Sequence, residues 1–297
     1  MTRTVVVTGA SGHLGRGVVE HLLRSNGVNP SDIIATTRTP AAVADLAAHG
    51  VAVRRADFND PPSLERAFAG GDTVLIVSTD ELDLFGGKRL KQHQAAVVAA
   101  KNAGATHVAY TSMPRPEPGS PFLIASDHYG TEQAMKASGL AYTIFRPNSY
   151  HENLLTSLPR IIETGRWLTS AGDGRVAYAA RDDIAAAIAG RLASDSTETA
   201  IIELTGPKAY SNAEVAELVS DVTGRSLEVV PVSDEALNEA LQTAGVPEAF
   251  ARLWVSVDVN VRAGNSELVT DTIEKLSRRK PTPLTQFLET HRSALLR

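Results

Sequence analysis

The chain has 297 residues, 43% of them apolar and 21% charged, a soluble composition with room for one large domain or two small ones. Its 29 basic and 34 acidic residues leave a net charge of -5, so no general attraction to nucleic acid or anionic membranes is expected. There is no cysteine, which excludes disulfides, thiolate metal sites and cysteine nucleophiles and fits a cytoplasmic location.

The opening run, MTRTVVVTGA, turns apolar within three residues. It leaves no room for the charged-then-apolar pattern of a signal peptide and is too short to span a bilayer. From there to about residue 147, short β-branched runs alternate with alanine-rich amphipathic segments. The expected strands are Thr4–Gly9, Asp32–Thr37, Val51–Ala56, Thr73–Ser78, Thr106–Ser112 and Ala141–Arg146. Nearly continuous apolar strands separated by helices indicate a parallel sheet covered on both faces, and right-handed crossovers make it doubly wound. Gly50, Gly104 and Gly139 fall where helices should end.

The first strand runs directly into Gly9, Gly12 and Gly15, spaced G-x-x-G-x-x-G and opening a helix. Such glycines permit a tight turn and let backbone amides approach a pyrophosphate at the positive helix end. Ser11 can add a hydroxyl to the phosphates, and the loop as a whole, His13 and Leu14 included, is the candidate dinucleotide site. The second strand ends in ATTRTP, with Arg38 where an NAD site usually has an acid. The planar, permanently charged guanidinium suits a 2′-phosphate, so NADPH is the expected cofactor. By the same topology Asp57 and Phe58 after strand three reach the adenine, and Ser78 and Thr79 after strand four reach the ribose and pyrophosphate.

The fifth strand empties into SMPRPEPGSPF, a loop with four prolines at the ligand end of such a sheet, and a lid is the functional reading. The segment HYGTEQ follows. Tyr129 and Gln133 share a helix face there, at a spacing where many nicotinamide enzymes have Tyr-x-x-x-Lys. A neutral glutamine cannot favour a tyrosinate as an ammonium would, which argues against ordinary ketone reduction. After residue 147 the rhythm changes to helical segments with brief strands, so residues 148–297 are expected to form a smaller mixed region closing the substrate pocket. The eight histidines show no metal-ligand spacing, and there is no nucleophile elbow or P-loop lysine.

The stretches TGASGHLG, TTRTP, ADFNDPPSLERAFAG, HYGTEQAMKASGLAYTIFRPNSYHENL, AGDGRVAYAARDDIAAA and GPKAYSNAEVAELVSDVTG together resemble the NmrA-like branch of atypical short-chain dehydrogenase/reductases. Within it the likeness is greatest to the bacterial type 2 NADPH:quinone oxidoreductases, with triphenylmethane-dye reductases nearby. The resemblance implies cofactor contacts from Gly9–Leu14, Arg38, Ser78 and Thr79, and an Arg-x-x-x-Tyr-x-Glu-Asn run past the nicotinamide. Arg146, Tyr150, Glu152 and Asn153 match that run, while Pro147, Asn148 and Ser149 depart from the quinone reductases, which carry a bulkier aromatic where Ser149 stands. Arg146 and Asn148 are thus cofactor candidates. Tyr129, Tyr150 and Asn153 are substrate candidates, with Tyr150 the catalytic one. The AARDDI run, Ala179 to Ile184, corresponds to a stretch near the cofactor, and reads equally as a helix start capped by Asp.

The expected function is NADPH-dependent hydride transfer to a quinone-like conjugated acceptor, which needs little general-acid help. Two alternatives stay open: a dinucleotide-sensing regulator, and a reductase of an activated ketone, imine or dye. The partner is a small-molecule acceptor, and the apolar helices of the last third are compatible with a homodimer.

Overall fold

A computed structural model describes residues 3–25, 28–81, 83, 86–194 and 196–297. The first half alternates β1 (Val5–Val7), α1 (His13–Arg24), β2 (Ile33–Thr37), α2 (Ala44–Ala48), β3 (Ala52–Arg55), α3 (Pro61–Phe68), β4 (Thr73–Ile76), α4 (Lys88–Asn102), β5 (His107–Thr111), α5 (Ala125–Ala137) and β6 (Ala141–Pro147). The first five expected strands each contain an observed one and β6 runs one residue past the sixth, and the backbone beyond three helices turns at Gly50, Gly104 and Gly139, all with positive φ. The second half adds α6 (His151–Thr164), β7 (Arg166–Thr169), β8 (Arg175–Val176), α7 (Arg181–Leu192) and β9 (Ala200–Leu204). It continues with β10 (Tyr210–Ser211), α8 (Asn212–Thr223), β11 (Glu228–Pro231), α9 (Asp234–Thr243), α10 (Glu248–Arg262), α11 (Thr272–Ser277), α12 (Leu284–Thr290) and α13 (Arg292–Leu295).

Seven strands form one all-parallel sheet in the order β3-β2-β1-β4-β5-β6-β9. The strand order reverses between β1 and β4, the place where such sheets open a crevice at their carboxyl ends. Strand alternation feeds two separate cores. Val5 and Val7 pack with Val18, Leu22, Ile33 and Ile188 on one face, and Val6 packs with Phe68, Val74, Ile76, Tyr110 and Met135 on the other. Fully burying one such side chain contributes about 1.5–3 kcal/mol, so both layers are well anchored.

The boundary drawn at residue 147 is approximate, and the two regions meet across it. β9 pairs with β6 to complete the sheet, and α7 packs on α1, where Gly17 leaves an ideal Cβ only 3.0 Å from Ala185 Cβ. The rest of the second half forms its own apolar cluster around Leu158, Val215, Val219 and Leu288, with β7–β11 and β8–β10 as two small sheets. Ser211 caps α8 in a reciprocal capping box with Glu214, as the SNAE sequence suggests. Among the described residues no helix is long and apolar enough to cross a membrane.

Candidate active site

The glycine loop is closed by contacts that tolerate no side chain. Gly9 has φ +64° and its carbonyl accepts the Gly12 amide at 2.9 Å. A Cβ on Gly15 would lie 2.4 Å from Gly9 O and 2.8 Å from Thr8 O, so the first turn of α1 can sit against the loop only because that position is glycine. The first turn of α1 holds no acid, leaving its positive end uncompensated. The loop is tied to its neighbours by Ser11 Oγ to Thr37 Oγ1 at 2.8 Å, by Val77 N–H to Thr8 Oγ1 at 2.9 Å, and by Ala10 N–H to Thr36 O at 3.0 Å.

In front of this loop lies a cleft of about 430 Å³ at the carboxyl ends of the strands. Gly9, Ser11, Gly12, His13, Leu14 and Gly15 line it, with Arg38, Asp57, Phe58, Ser78, Thr79 and Tyr150. The structure therefore brings twelve of the expected residues to one surface. At one end, beyond β2, Arg38 is exposed and makes no ion pair among the described residues. Asp57 beside it spends Oδ1 on the amide and side chain of Asn59, an Asx turn that shapes the end of β3. At the other end the guanidinium of Arg181 lies 5.0 Å from the centre of the Tyr150 ring. Burial pushes the Tyr150 phenol up to about 12, against the opposing charges of Arg181 and Arg89.

Tyr150 and Arg181 meet because residues 149–151 bridge Ala179. Ala179 N–H donates to Ser149 O at 3.1 Å and His151 N–H to Ala179 O at 3.0 Å. Glu152 accepts the Arg181 amide at 3.1 Å, filling the N-terminus of α7. No Asp caps that helix. Asp182 instead bonds His21 and Arg279, and Asp183 takes the Thr282 amide, so this pair fastens the C-terminal segment.

Four expected residues stand outside the cleft wall. Arg146, a cofactor candidate in the sequence, is committed to carboxylates: Nε and Nη2 grip Glu132 at 2.9 and 2.8 Å, and Nη2 reaches Glu117 at 2.6 Å. Glu132 is fully buried and otherwise has only the Ser112 hydroxyl at 2.7 Å and the Lys136 ammonium at 3.8 Å among the described residues, so this pair is structural. Asn148 donates to Ser266 O at 2.8 Å and accepts the Ser149 amide, which ties the strand end to the second half. Asn153 is exposed on α6. Tyr129 and Gln133 do share α5, half-buried and exposed respectively, but neither borders the cleft.

The proline loop carries Glu117 and docks on α10 through Leu123 N–H to Ser256 Oγ at 3.3 Å. The sequence reading missed Thr37, Asn59, Gln92 and the specific role of Arg181 in the wall. It also missed the support behind it. The Thr79 amide donates to His93 Nε2 at 3.0 Å and Thr79 Oγ1 donates to Gln92 Oε1 at 3.0 Å, fixing the end of β4 to α4. Nothing in the run KRLKQHQ marks these as inward-facing, since the buried face of α4 there is polar.

A cleft with an amide-lined anion site, an exposed guanidinium and a tyrosine–arginine pair fits a dinucleotide. Comparison with known proteins agrees with that fit. Quinone oxidoreductase 2 of Escherichia coli is 34% identical over 282 residues, 95% of this chain and 96% of that one. An NAD(P)H azoreductase of Xenophilus azovorans is 29% identical over 98% of both chains. Two solved structures are similar throughout. An NADPH-dependent quinone oxidoreductase of E. coli complexed with NADPH has TM-score 0.90 and 33% identity, covering 97% of this chain and 99% of that one. A Citrobacter sp. triphenylmethane reductase complexed with NADP(H) has TM-score 0.88 at the same identity and coverage. The model described as the NmrA-like family matches residues 1–288, and the chain belongs to that family of NAD(P)H-dependent oxidoreductases.

Proposed function

We propose that the protein binds NADPH in this cleft and reduces a conjugated acceptor of the quinone type. The observation that carries the reading is the division of labour along the cleft. Arg38 offers a fork for a 2′-phosphate that no carboxylate pairs with among the described residues, and the opposite end holds Tyr150 without a lysine partner. When bound, the nicotinamide supplies a hydride. The chain's own residues bind and orient: the Gly9–Gly15 loop and α1 hold the pyrophosphate, Arg38 selects the phosphorylated ribose, and Thr79 forms the wall beside the nicotinamide half.

Tyr150 stays protonated at neutral pH and can donate one hydrogen bond to an acceptor oxygen. It lacks the nearby ammonium that would make it a strong proton shuttle, and Arg181 acts on it from across the ring. A quinone suits that arrangement, because its reduced oxygen is far less basic than an alkoxide and positioning supplies most of the rate. The relatives named above for quinone and dye reduction support the same class of acceptor.

The test is anaerobic NADPH oxidation followed by absorbance with a panel of benzoquinones and naphthoquinones, alongside a separate NADPH-binding titration. Saturable, quinone-dependent oxidation that is much slower with NADH supports the reading. NADPH binding without oxidation by any quinone refutes it.

A further inference from the structure

The cleft wall carries a second arginine besides Arg38. Arg181 is the first residue of α7, half-buried, and it lines the cleft together with Tyr150. Its guanidinium lies 5.0 Å from the centre of the Tyr150 ring, and among the described residues no carboxylate or carbonyl accepts a hydrogen bond from it. The acids beside it are engaged elsewhere. Glu152 turns both carboxylate oxygens to the backbone amide of Arg181, at 3.2 and 3.1 Å. Asp182 holds His21 at 2.7 Å and Arg279 at 2.6 Å, and Asp183 holds Arg279 at 3.0 Å and the Thr282 amide at 2.6 Å. The N–H donors of a planar, permanent cation are therefore left for a ligand.

Its place relative to the sheet says which ligand. Arg38 follows β2 and the glycine loop follows β1, whereas Tyr150 follows β6, with β4 and β5 between. Arg181 stands two residues beyond Ala179, which bridges Tyr150, so it belongs to the β6 side. A dinucleotide laid across the switch point puts its adenosine half on the β2 side, with Arg38, Asp57 and Phe58, and its nicotinamide half on the other. The pyrophosphate already has the amides of the Gly9–Gly15 loop and the acid-free first turn of α1. The cation on the β6 side is left to whatever meets the nicotinamide. Stacking on the Tyr150 face, worth about 0.5–2 kcal/mol, keeps it beside the one phenol of the cleft.

We infer that Arg181 is a specificity-determining residue of the reaction: stacked on Tyr150 in the cleft wall, it binds the acceptor oxygen that becomes an oxyanion on reduction, and so favours quinones over cationic acceptors such as triphenylmethane dyes. This role rests on the proposed reductase function and sets the charge preference of the acceptor site. A quinone that takes a hydride from bound NADPH gains two electrons and one proton and becomes a hydroquinone monoanion, with NADP+ as the other product. Its oxyanion accepts from the Tyr150 hydroxyl and the Arg181 guanidinium, then takes a second proton from solvent. A cationic dye taking the same hydride becomes neutral, so the Arg181 charge opposes its binding and gains nothing from its reduction. A unit charge beside a half-buried site is worth a factor on the order of ten in such a preference.

The test compares the wild type with Arg181→Gln, whose flat amide can still cover the Tyr150 ring. The first assay is kcat/KM for a naphthoquinone and for a cationic triphenylmethane dye at saturating NADPH. Arg181→Gln is expected to lower the quinone-to-dye ratio about tenfold. The second needs no turnover: the NADP+ complex is titrated with 4-nitrophenolate, a stand-in for the reduced acceptor, and with neutral 4-nitroanisole. The wild type should bind the phenolate about tenfold more tightly than the anisole, and Arg181→Gln should lose about tenfold of that preference; the nicotinamide charge is common to both proteins. The third compares NADP+ with 2′,5′-ADP, which lacks the nicotinamide half, and the variant should weaken neither relative to the other. A selective loss of NADP+ affinity would assign the guanidinium to the cofactor and overturn the inference. Equal or reversed phenolate preference in the wild type overturns it without any variant. So does a folded Arg181→Gln protein whose ratio and phenolate preference stay within about twofold of the wild type. Absence of turnover with every acceptor would refute the reductase function instead, and the phenolate titration would then decide Arg181 alone.

Discussion

Lowering the pH from 7 to 5 should destabilise this protein through histidines that the fold keeps neutral. Burial lowers His93 to about 3 and His107 and His151 to about 4, against an ordinary value near 6.5. For each, the folded state binds the proton less well than the unfolded chain. The stability they provide is therefore complete above pH 6.5 and is lost as pH falls from there toward the folded value. At pH 5 each of the three costs about 2 kcal/mol relative to pH 7, close to 6 kcal/mol together. Glu203 works in the opposite sense. Burial raises it to about 7, so below pH 7 the folded state takes up its proton first and regains about 2 kcal/mol by pH 5.

The net loss is about 4 kcal/mol, a large part of a typical 5–15 kcal/mol stability and roughly 6 °C in Tm for a chain this long. His128, also lowered by burial and by Arg89, adds to the loss. Urea unfolding at pH 7, 6 and 5 at constant ionic strength measures it. In His151→Phe, which replaces a ring packed 5.0 Å from Phe287, the slope should fall by about one proton. A stability that is flat or rising between pH 7 and 5 would refute the reasoning.

Other perturbations address the site itself. Arg38→Ala should weaken NADPH binding about 10–100-fold, the worth of a charge-assisted hydrogen bond, while leaving NADH affinity unchanged in parallel fluorescence titrations. Gly15→Ala places a Cβ 2.4 Å from Gly9 O, so loop and helix must part by about 1 Å; NADPH affinity should drop on the order of 100-fold. His93→Phe strands the Thr79 amide in a buried setting at a cost of about 1–3 kcal/mol, which should appear as a lower Tm and a raised KM for NADPH. Tyr150→Phe removes only a hydrogen bond if solvent supplies the proton. kcat should then fall about tenfold or less, and because the phenol is held near 12, the wild-type rate should show no basic limb between about pH 7 and 9.

The alternation of strands and helices, the glycine loop and the cation after β2 were all legible because each depends on residues close in sequence. Gly9, Gly12 and Gly15 lie within one strand–turn–helix unit, and Arg38 follows its strand directly, so spacing alone fixes where they stand. The polar side chains behind the cleft were not legible. His93, Tyr110, His128 and Arg89 come from three elements, and a helix read by itself gives no sign that its polar stripe is the buried one. Arg146 shows the converse. A residue matching a family pattern was expected at the cofactor, and tertiary packing instead surrounds it with Glu132, Glu117 and Glu203.

By itself, then, the sequence determined the doubly wound sheet, the dinucleotide loop and the loss of a lysine beside Tyr129, because hydrophobic period, turn chemistry and residue identity are local properties. Which charges are paired and which are left facing the cleft was decided only by the tertiary structure. Arg181 meets Tyr150 through a bridge between residues 149–151 and Ala179, and Arg89 is buried without a carboxylate because of what α5 and β5 place around it. Burial and pairing depend on neighbours distant along the chain, and a charge acquires its function from them.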